Sequence, residues 1–282
     1  TATDGGGIYS ANSSPTITST EVTDNEGGWG GGFCILFGSA LTGGNPTISN
    51  TIVAKNHGNY HGGGLYIDET NVSLTSVSIT ENTSNEMQGA GIHARNNSNI
   101  ELVNVIHWNN EPSSIVFQED GAESVISISH SDIEGGQSGI TTNSNADITW
   151  GEGNIDADPL FCNPDSSDYT LGENSPCVGT GENGANMGAL GVGCGPYNFS
   201  PTEFSLSEPS NNAQITIDES NMNDGYITFS WGESSDANGD SLYYLMRAAS
   251  AEIGDHGMDT NATSFDLSYM DIIEDMSENN VT

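Results

Sequence analysis

Lys55 and Arg95 are the residues of this chain whose types most readily suggest catalysis. The sequence has only three Lys and Arg residues against 39 Asp and Glu, and the third cation is Arg247. An amine can act as a general base, and a guanidinium can stabilise a carboxylate next to a carbon that loses its proton. Together the two are candidates for proton abstraction from an acidic sugar.

A structural role explains the same two residues better. In a repeat described below, the position of Lys55 holds Asp24 one copy earlier and Glu81 one copy later, and the position of Arg95 holds Asp68. Stacked copies would place each cation beside a carboxylate, in a surface ion pair that contributes at most ~1 kcal/mol. A lysine held in this way is a poor base. We therefore expect ion pairs and no catalytic residue.

Aromatic side chains at repeated positions indicate a surface that binds carbohydrate. Trp29 and Tyr60 lie just before runs of three glycines, and Tyr66 and His93 share one repeat position with Tyr9. Alternation along a strand places that position on the outside, where exposed ring faces can stack on sugars. We expect Trp29, Tyr60, Tyr66 and His93 to form the binding surface. Ring stacking that only stabilises the repeats is the alternative.

The run Asp236-Ala-Asn238-Gly-Asp240 resembles the start of a calcium-binding loop. Such a loop needs a bidentate glutamate at its twelfth position, but Arg247 stands there. A tight turn with hydrogen bonds from Asx side chains is the favoured interpretation. No cofactor or metal is therefore predicted, and Ca²⁺ at Asp236, Asn238 and Asp240 is the alternative.

Imperfect repeats of strand-type segments organise these positions. Equivalent apolar residues follow one another at steps of 25, 32, 27 and 23 residues, at Ile8, Phe33, Leu65, Ile92 and Ile115. Each of Asn25, Asn56 and Asn82 has apolar residues eight and three positions earlier, and the next copy offers Asn109 or Asn110. A short period without helical patterns is typical of a solenoid. The sequence predicts a parallel β-helix with five to six coils in residues 1–140, inward apolar columns and an asparagine amide ladder; a β-sandwich is the alternative.

The segment that follows the coils carries a specific resemblance. Its motifs are Asp158-Pro159-Leu160-Phe161, Asp168-Tyr169-Thr170-Leu171, Asn174-Ser175-Pro176-Cys177 and Gly188-Ala189-Leu190-Gly191. With the glycine-rich coils, they make residues 1–195 resemble secreted bacterial right-handed parallel β-helix proteins of the pectate-lyase-like superfamily, with 140–195 as an irregular cap. The resemblance implies the fold and an extracellular setting. It does not imply an activity, because the superfamily includes lyases, hydrolases, epimerases and adhesins.

Three of the four cysteines lie in this cap. A cap poor in apolar residues gains ~2–4 kcal/mol from a disulfide, and disulfides persist in oxidising compartments. We expect Cys162 to pair with Cys177 or with Cys194, and the spacing does not choose between them. Cys34 shares the outward repeat position of Tyr66, so we expect it to be a free thiol on the surface.

The chain changes character after a linker at 196–201. Short alternating segments follow at the spacing of a β-sandwich, at 204–206, 215–217, 226–231, 242–246 and 263–267. With the turn at Asp236–Asp240, residues 202–282 resemble fibronectin type III modules of secreted bacterial proteins, in which Trp231 would be the core tryptophan. No segment remains for the last two strands, so we expect an all-β chain whose sandwich is incomplete.

Composition and charge narrow the possible functions. The formal net charge is −36, which argues against binding to nucleic acid or to anionic membranes. No apolar run is long enough for a membrane span. Because the chain opens on a glycine-rich corner with no capping element before it, we expect the N-terminus to be cut and not native. The leading hypothesis is a secreted or cell-surface scaffold, non-catalytic, for adhesion or for binding an extracellular polysaccharide or cell-surface glycan. The alternatives are a polysaccharide-degrading enzyme, a lyase before a glycoside hydrolase, and a structural protein that self-associates into fibres.

Overall fold

The first unit of the molecule is a stack of parallel β-coils. The computed structural model describes residues 4–37, 45–85, 89–250 and 254–278, and the chain divides into two compact units, Thr1–Tyr197 and Asn198–Thr282. The first unit forms a parallel β-solenoid of about seven turns. The prediction of a β chain built on a parallel β-helix is therefore confirmed.

Twenty-one strands make up the described part of this unit. In chain order they are β1 (Ile8–Ala11), β2 (Thr16–Thr18), β3 (Glu21–Thr23), β4 (Glu26–Trp29), β5 (Phe33–Leu36), β6 (Thr47–Ala54), β7 (His57–His61), β8 (Leu65–Asp68), β9 (Asn71–Thr80), β10 (Thr83–Ser84), β11 (Ile92–Arg95), β12 (Asn99–Val103), β13 (Ile106–Trp108), β14 (Ile115–Phe117), β15 (Ser124–Ser129), β16 (Asp132–Ile133), β17 (Ile140–Thr141), β18 (Ala146–Trp150), β19 (Phe161–Asn163), β20 (Asp168–Gly172) and β21 (Val192–Cys194). Short 3-10 helices span Gly136–Gly139, Pro164–Ser166 and Glu182–Gly184.

Three parallel sheets run along the stack. The first has the order β1-β5-β8-β11-β14-β17, the second consists of β10, β7 and β4, and the third joins β2, β3 and β6 through β9 to β12, β13, β15, β16 and β18. The predicted columns are in register, since Ile8, Phe33, Leu65, Ile92 and Ile115 pair successively with one another. These residues pack in one continuous core inside the coils. Coil strands continue beyond residue 140, to β17 and β18.

The asparagine ladder lies at one bend of the coils and has four rungs. The Nδ2 groups of Asn25, Asn56 and Asn82 donate to Oδ1 of the next rung at 3.0, 3.0 and 2.9 Å. The last acceptor is Asn110, which settles the register that the sequence left open between Asn109 and Asn110. Each Oδ1 also accepts the backbone N–H of the preceding rung, at 3.0–3.1 Å. The ladder thus satisfies buried polar groups that stacking alone would leave without partners.

Glycines make the sharp corner before the first sheet. Gly30 and Gly62, each the first of its triplet, have φ of +76° and +59°, a region that costs a glycine little. The third glycine of a triplet approaches the next coil closely, because a Cβ on Gly32 would lie 2.7 Å from the carbonyl oxygen of Gly64.

The cap packs on the outer face of the third sheet. Phe161, Tyr169, Leu171, Cys177 and Met187 form a second apolar cluster with outward side chains of the coils, among them Ile52 and Ile106. The disulfide joins Cys162 to Cys194, one of the two predicted pairings. Cys177 is free and buried, so it is no member of a disulfide.

The second unit contains two small antiparallel sheets and one helix. Its elements are β22 (Leu206–Glu208), β23 (Tyr226–Trp231), β24 (Tyr244–Ser250), β25 (Gly254–Thr260), β26 (Ser264–Ser268) and α1 (Tyr269–Glu278). One sheet has the order β22-β23-β26 and the other pairs β24 with β25. Trp231 is buried against Tyr244, as expected for a core tryptophan. No strand forms at 215–217, contrary to the prediction, and α1 was not predicted.

No helix in the described residues has the length and apolar character to cross a membrane.

Candidate functional site

The two candidate catalytic cations lie in ion pairs. Lys55 Nζ is 3.7 Å from Glu81 Oε2, and Arg95 Nε is 3.4 Å from Asp68 Oδ2. These are the partners that the repeat predicted. Lys55 Nζ also donates to the carbonyl oxygen of Pro164 at 2.8 Å and to Ser167 Oγ at 3.1 Å. The lysine therefore connects a coil to the cap.

Cys34, Tyr66 and His93 of the outward column of the first sheet are buried, which corrects the prediction of exposure, whereas Tyr9 at the start of the column is 52% exposed. Tyr66, His93 and Cys34 point outward from the coils, as alternation requires, but they are 0%, 1% and 1% exposed. Trp29 and His61 lie against Tyr66, and His61 also lies against His93, so a second layer of rings covers these two members of the column. Burial raises the pKa of the Cys34 thiol to about 12. Cys34 is a free thiol as predicted, but it is not on the surface.

The two covering rings, Trp29 and His61, form a cluster with Tyr66 and His93 of the column, and we call these four residues the ring cluster. Trp29 meets Tyr66 and His61 edge-on, with ring centroids 5.1 and 5.6 Å apart and interplanar angles of 79°. Tyr66 and His93 are stacked at 5.5 Å with an angle of 6°, and His61 lies 4.4 Å from His93. Trp29 remains half-buried, whereas neighbouring Tyr60 is 61% exposed. Of the predicted binding residues, only Trp29 and Tyr60 thus reach solvent.

A buried carboxylate anchors the base of the ring cluster. Asp68 is 6% exposed, accepts a hydrogen bond from Asn96 Nδ2 at 2.8 Å, and lies 3.5 Å from Tyr66 Oη. Burial, followed by the charge of Asp68, raises the pKa of Tyr66. Burial and the Asp68 charge thus keep the tyrosine protonated, and Arg95 is the counter-ion of Asp68. The arrangement supports the rings and offers no accessible base.

The calcium candidates form the Asx turn that was favoured. Asp236 Oδ1 accepts the backbone N–H groups of Asn238 and Asp240 at 2.8 and 3.2 Å, and Gly239 has φ of +79°. Among the described residues, no three His, Cys, Asp or Glu side chains converge on a point where a metal could bind. Ca²⁺ at Asp236, Asn238 and Asp240 stays the alternative hypothesis for this turn.

Two buried ionisable groups were not found from the sequence. Asp132, on the outer face under the cap, accepts a hydrogen bond from Cys177 Sγ at 3.2 Å, and burial raises its pKa to about 7. His107 occupies the inward column between Ile79 and Ile133; burial lowers its pKa to about 4. Its position after an apolar residue in strand β13 is the only sequence signal. The burial of Asp132 could not be predicted from the repeat, because it depends on where the cap packs on the coils.

A scan against protein-family models gave no match, and searches of curated proteins and of solved structures likewise returned no significant match. The fold class therefore rests on the register of the coils themselves.

Proposed function

We propose that this protein is a secreted or cell-surface, non-catalytic scaffold of the pectate-lyase-like type that binds an uncharged extracellular polysaccharide. The ligand stacks on Trp29 and Tyr60, on the outside of the solenoid. The second unit, with a buried tryptophan and two antiparallel sheets, is proposed as a fibronectin type III-like module that extends the scaffold. The disulfide in the cap supports an oxidising, extracellular setting.

The observation that carries the proposal is the fixed orientation of the Trp29 indole. Two edge-on contacts hold it against Tyr66 and His61, and those rings are themselves stacked. An aromatic platform that is rigid before binding loses little conformational entropy when a sugar ring stacks on it. Tyr60 lies in the strand that pairs with the Trp29 strand and is 61% exposed, so we include it as the second ring available to the ligand. A net charge of −36 disfavours acidic polysaccharides as ligands.

The ion pairs support a non-catalytic role. The ammonium of Lys55 is shared among Glu81, Pro164 and Ser167, and the guanidinium of Arg95 faces a buried carboxylate. A general base must reach the proton it abstracts. Both cations are already used to hold the structure together.

Binding is tested by affinity electrophoresis or calorimetry with a panel of neutral polysaccharides. Trp29→Ala and Tyr60→Ala are each expected to weaken binding roughly tenfold, which corresponds to ~1.4 kcal/mol. Tyr226→Ala is the matched control, because Tyr226 is 59% exposed, much like Tyr60, but belongs to the second unit. It should leave the affinity unchanged.

Three results would overturn the proposal. The first is the absence of binding to every neutral polysaccharide, and the second is equal losses in the Tyr60 and Tyr226 variants. The third is the release of unsaturated or reducing ends from a polysaccharide, with or without Ca²⁺, that Lys55→Ala or Arg95→Ala abolishes. The third result would assign the protein to the polysaccharide-degrading enzymes.

A further inference from the structure

A cleft of about 360 Å³ lies within the first unit, between the coils and the cap. The coil side contributes Glu81 and Trp108, and the cap side contributes residues between Asp158 and Asp165. Trp108 is the outward residue at the end of β13, so the same alternation that sends His107 inward directs the indole toward the cleft. The volume is at the lower end of the ~300–1,000 Å³ usual for small-ligand sites.

The walls of this cleft are fixed before any ligand binds. Tyr169 Oη donates to Glu81 Oε2 at 2.6 Å, and Lys55 Nζ donates to the carbonyl oxygen of Pro164 at 2.8 Å. Both bonds join the coils to the cap. The disulfide of Cys162, itself a lining residue, ties the cap strand β19 to β21. A preformed site of this kind avoids the cost of ordering its walls on binding.

The lining combines apolar rings with carboxylates. Leu160 and Phe161 are buried at 7% exposure and form the apolar base, next to the half-buried Trp108. Glu81, Asp158 and Asp165 also line the cleft. Glu81 is already paired with Lys55 and accepts the Tyr169 hydrogen bond, so Asp158 and Asp165 are the carboxylates that can attract a cation. An aromatic face beside carboxylates attracts a cation through both its quadrupole and its charge.

The ligand that we propose for this cleft is an organic ammonium. Among the described residues, no three His, Cys, Asp or Glu side chains converge on one point, and Asp158 and Asp165 are both exposed. An ammonium group carried on a larger ring can reach separate carboxylates while the ring stacks on Trp108. The exposed amides of Asn109 and Asn163 at the rim provide donors and acceptors for hydroxyl groups.

We propose that this cleft is a second ligand site, distinct from Trp29 and Tyr60, and that it binds a sugar with a free amine, such as a glucosamine unit of an oligosaccharide. The ring stacks on Trp108 and the ammonium group lies between Asp158 and Asp165. This assignment does not rest on the proposed function, because it uses other residues and another ligand class.

The test compares three probes by calorimetry at physiological ionic strength: a glucosamine trisaccharide, its N-acetylated counterpart and trilysine. The amine form is expected to bind at least roughly tenfold more tightly than the acetylated form, which lacks the charge. The exposed pair Asp158→Asn/Asp165→Asn should lose roughly tenfold in affinity. An amide oxygen in place of the Asp158 carboxylate can still accept the N–H of Leu160 that Asp158 Oδ1 accepts now, so the local turn is kept. Trp108→Ala should lose as much affinity as the double variant.

Matched controls separate this site from general attraction to an acidic protein. Asp147→Asn/Glu101→Gln removes two charges from exposed positions on β18 and β12 and should not change the affinity, and neither should Trp29→Ala. Equal binding of the acetylated sugar, binding of trilysine as tight as that of the amino sugar, or equal losses in the two double variants would overturn the proposal. The double variants involve exposed side chains, so the test stands even where Trp108→Ala fails to fold.

Discussion

The two faces of the sheet that contains β6, β9 and β13 are both buried, but different parts of the chain bury them. The inward side chains Val53, Ile79 and His107 are covered by the other walls of the same coils. The outward side chains at the neighbouring position, Ile52, Ser78 and Ile106, are covered by the cap. The inner face is therefore buried by neighbouring coils of the same repeat. The outer face is buried by the cap, which is distant in sequence: Ser78 contacts Ala189, and Glu81 contacts Tyr169.

Because the two faces are buried differently, substitutions on them should destabilise different parts of the unit. The inner face depends on every coil having the same register, so a defect there should affect the whole stack. The outer face depends on the docking of one cap, so a defect there should be felt where coil and cap meet. Each face also contains one buried ionisable residue, His107 inside and Asp132 outside, and the two pKa values move in opposite directions.

The largest effect is expected for Asn82→Ala, which breaks the ladder of the inner face. The Asn82 side chain donates to the carbonyl oxygen of Val53 and to Asn110, and accepts from both nitrogens of Asn56. Each buried group left without a partner costs ~1–3 kcal/mol, so the free energy of unfolding should fall by roughly 5 kcal/mol in urea denaturation.

Two other asparagines calibrate this prediction. Asn85→Ala removes an exposed asparagine that donates one hydrogen bond to Asn59 and should cost no more than ~1 kcal/mol. Asn25→Ala removes the first rung, which has a ladder neighbour on one side only among the described residues, and should fall between the two. Similar losses for Asn82→Ala and Asn85→Ala would show that the ladder does not stabilise the inner face.

The same contrast explains which features could be read from the sequence. The period alone predicted the apolar columns, the asparagine ladder, and the pairing of Lys55 with Glu81 and of Arg95 with Asp68. These follow because equivalent residues of stacked coils are neighbours. The burial of the outer faces could not be predicted in this way, since it depends on which distant segment lies over them.

The ring cluster and the cap are the clearest cases. Alternation placed Tyr66 and His93 outside correctly, but nothing in the repeat indicated that Trp29 and His61 would cover them. The inner position of His107 escaped prediction for a different reason, because a histidine is not an apolar residue. It is accommodated there because Ser114 Oγ lies 2.8 Å from its Nδ1 and because Gly91 has no Cβ, which would collide with Nε2.

Asp132→Asn tests the outer face through pH. The carboxyl has a pKa of about 7 in the folded protein and 3.8 when unfolded, so the folded state binds the extra proton between these values. Its contribution to stability is complete below pH 4 and is lost as the pH rises to 7, a change on the order of 4 kcal/mol. As the pH rises from 4 to 7, the unfolding free energy of Asp132→Asn should therefore increase by that amount relative to that of the wild type. Asp147→Asn, exposed on β18, controls for the change in net charge; a constant difference for Asp132→Asn would mean that the cap does not bury this carboxyl.

His107→Asn tests the inner face over an overlapping pH range and should give the smaller effect, of opposite sign. The pKa of this imidazole is about 4 when folded and 6.5 when unfolded, so the unfolded state binds the extra proton. The contribution of His107 to wild-type stability is retained above pH 6.5 and lost as the pH falls to 4, by on the order of 3 kcal/mol. Asparagine can keep a hydrogen bond to Ser114 but does not titrate there. The variant should thus lose less stability than the wild type on acidification, as followed by urea unfolding at several pH values. The contributions of Asp132 and His107 oppose each other between pH 4 and 6.5. The pH dependence that each group gives to the unfolding free energy is therefore visible only when the other group is removed. If the unfolding free energies of the two variants changed with pH in the same direction, the assignment of one group to each face would be contradicted.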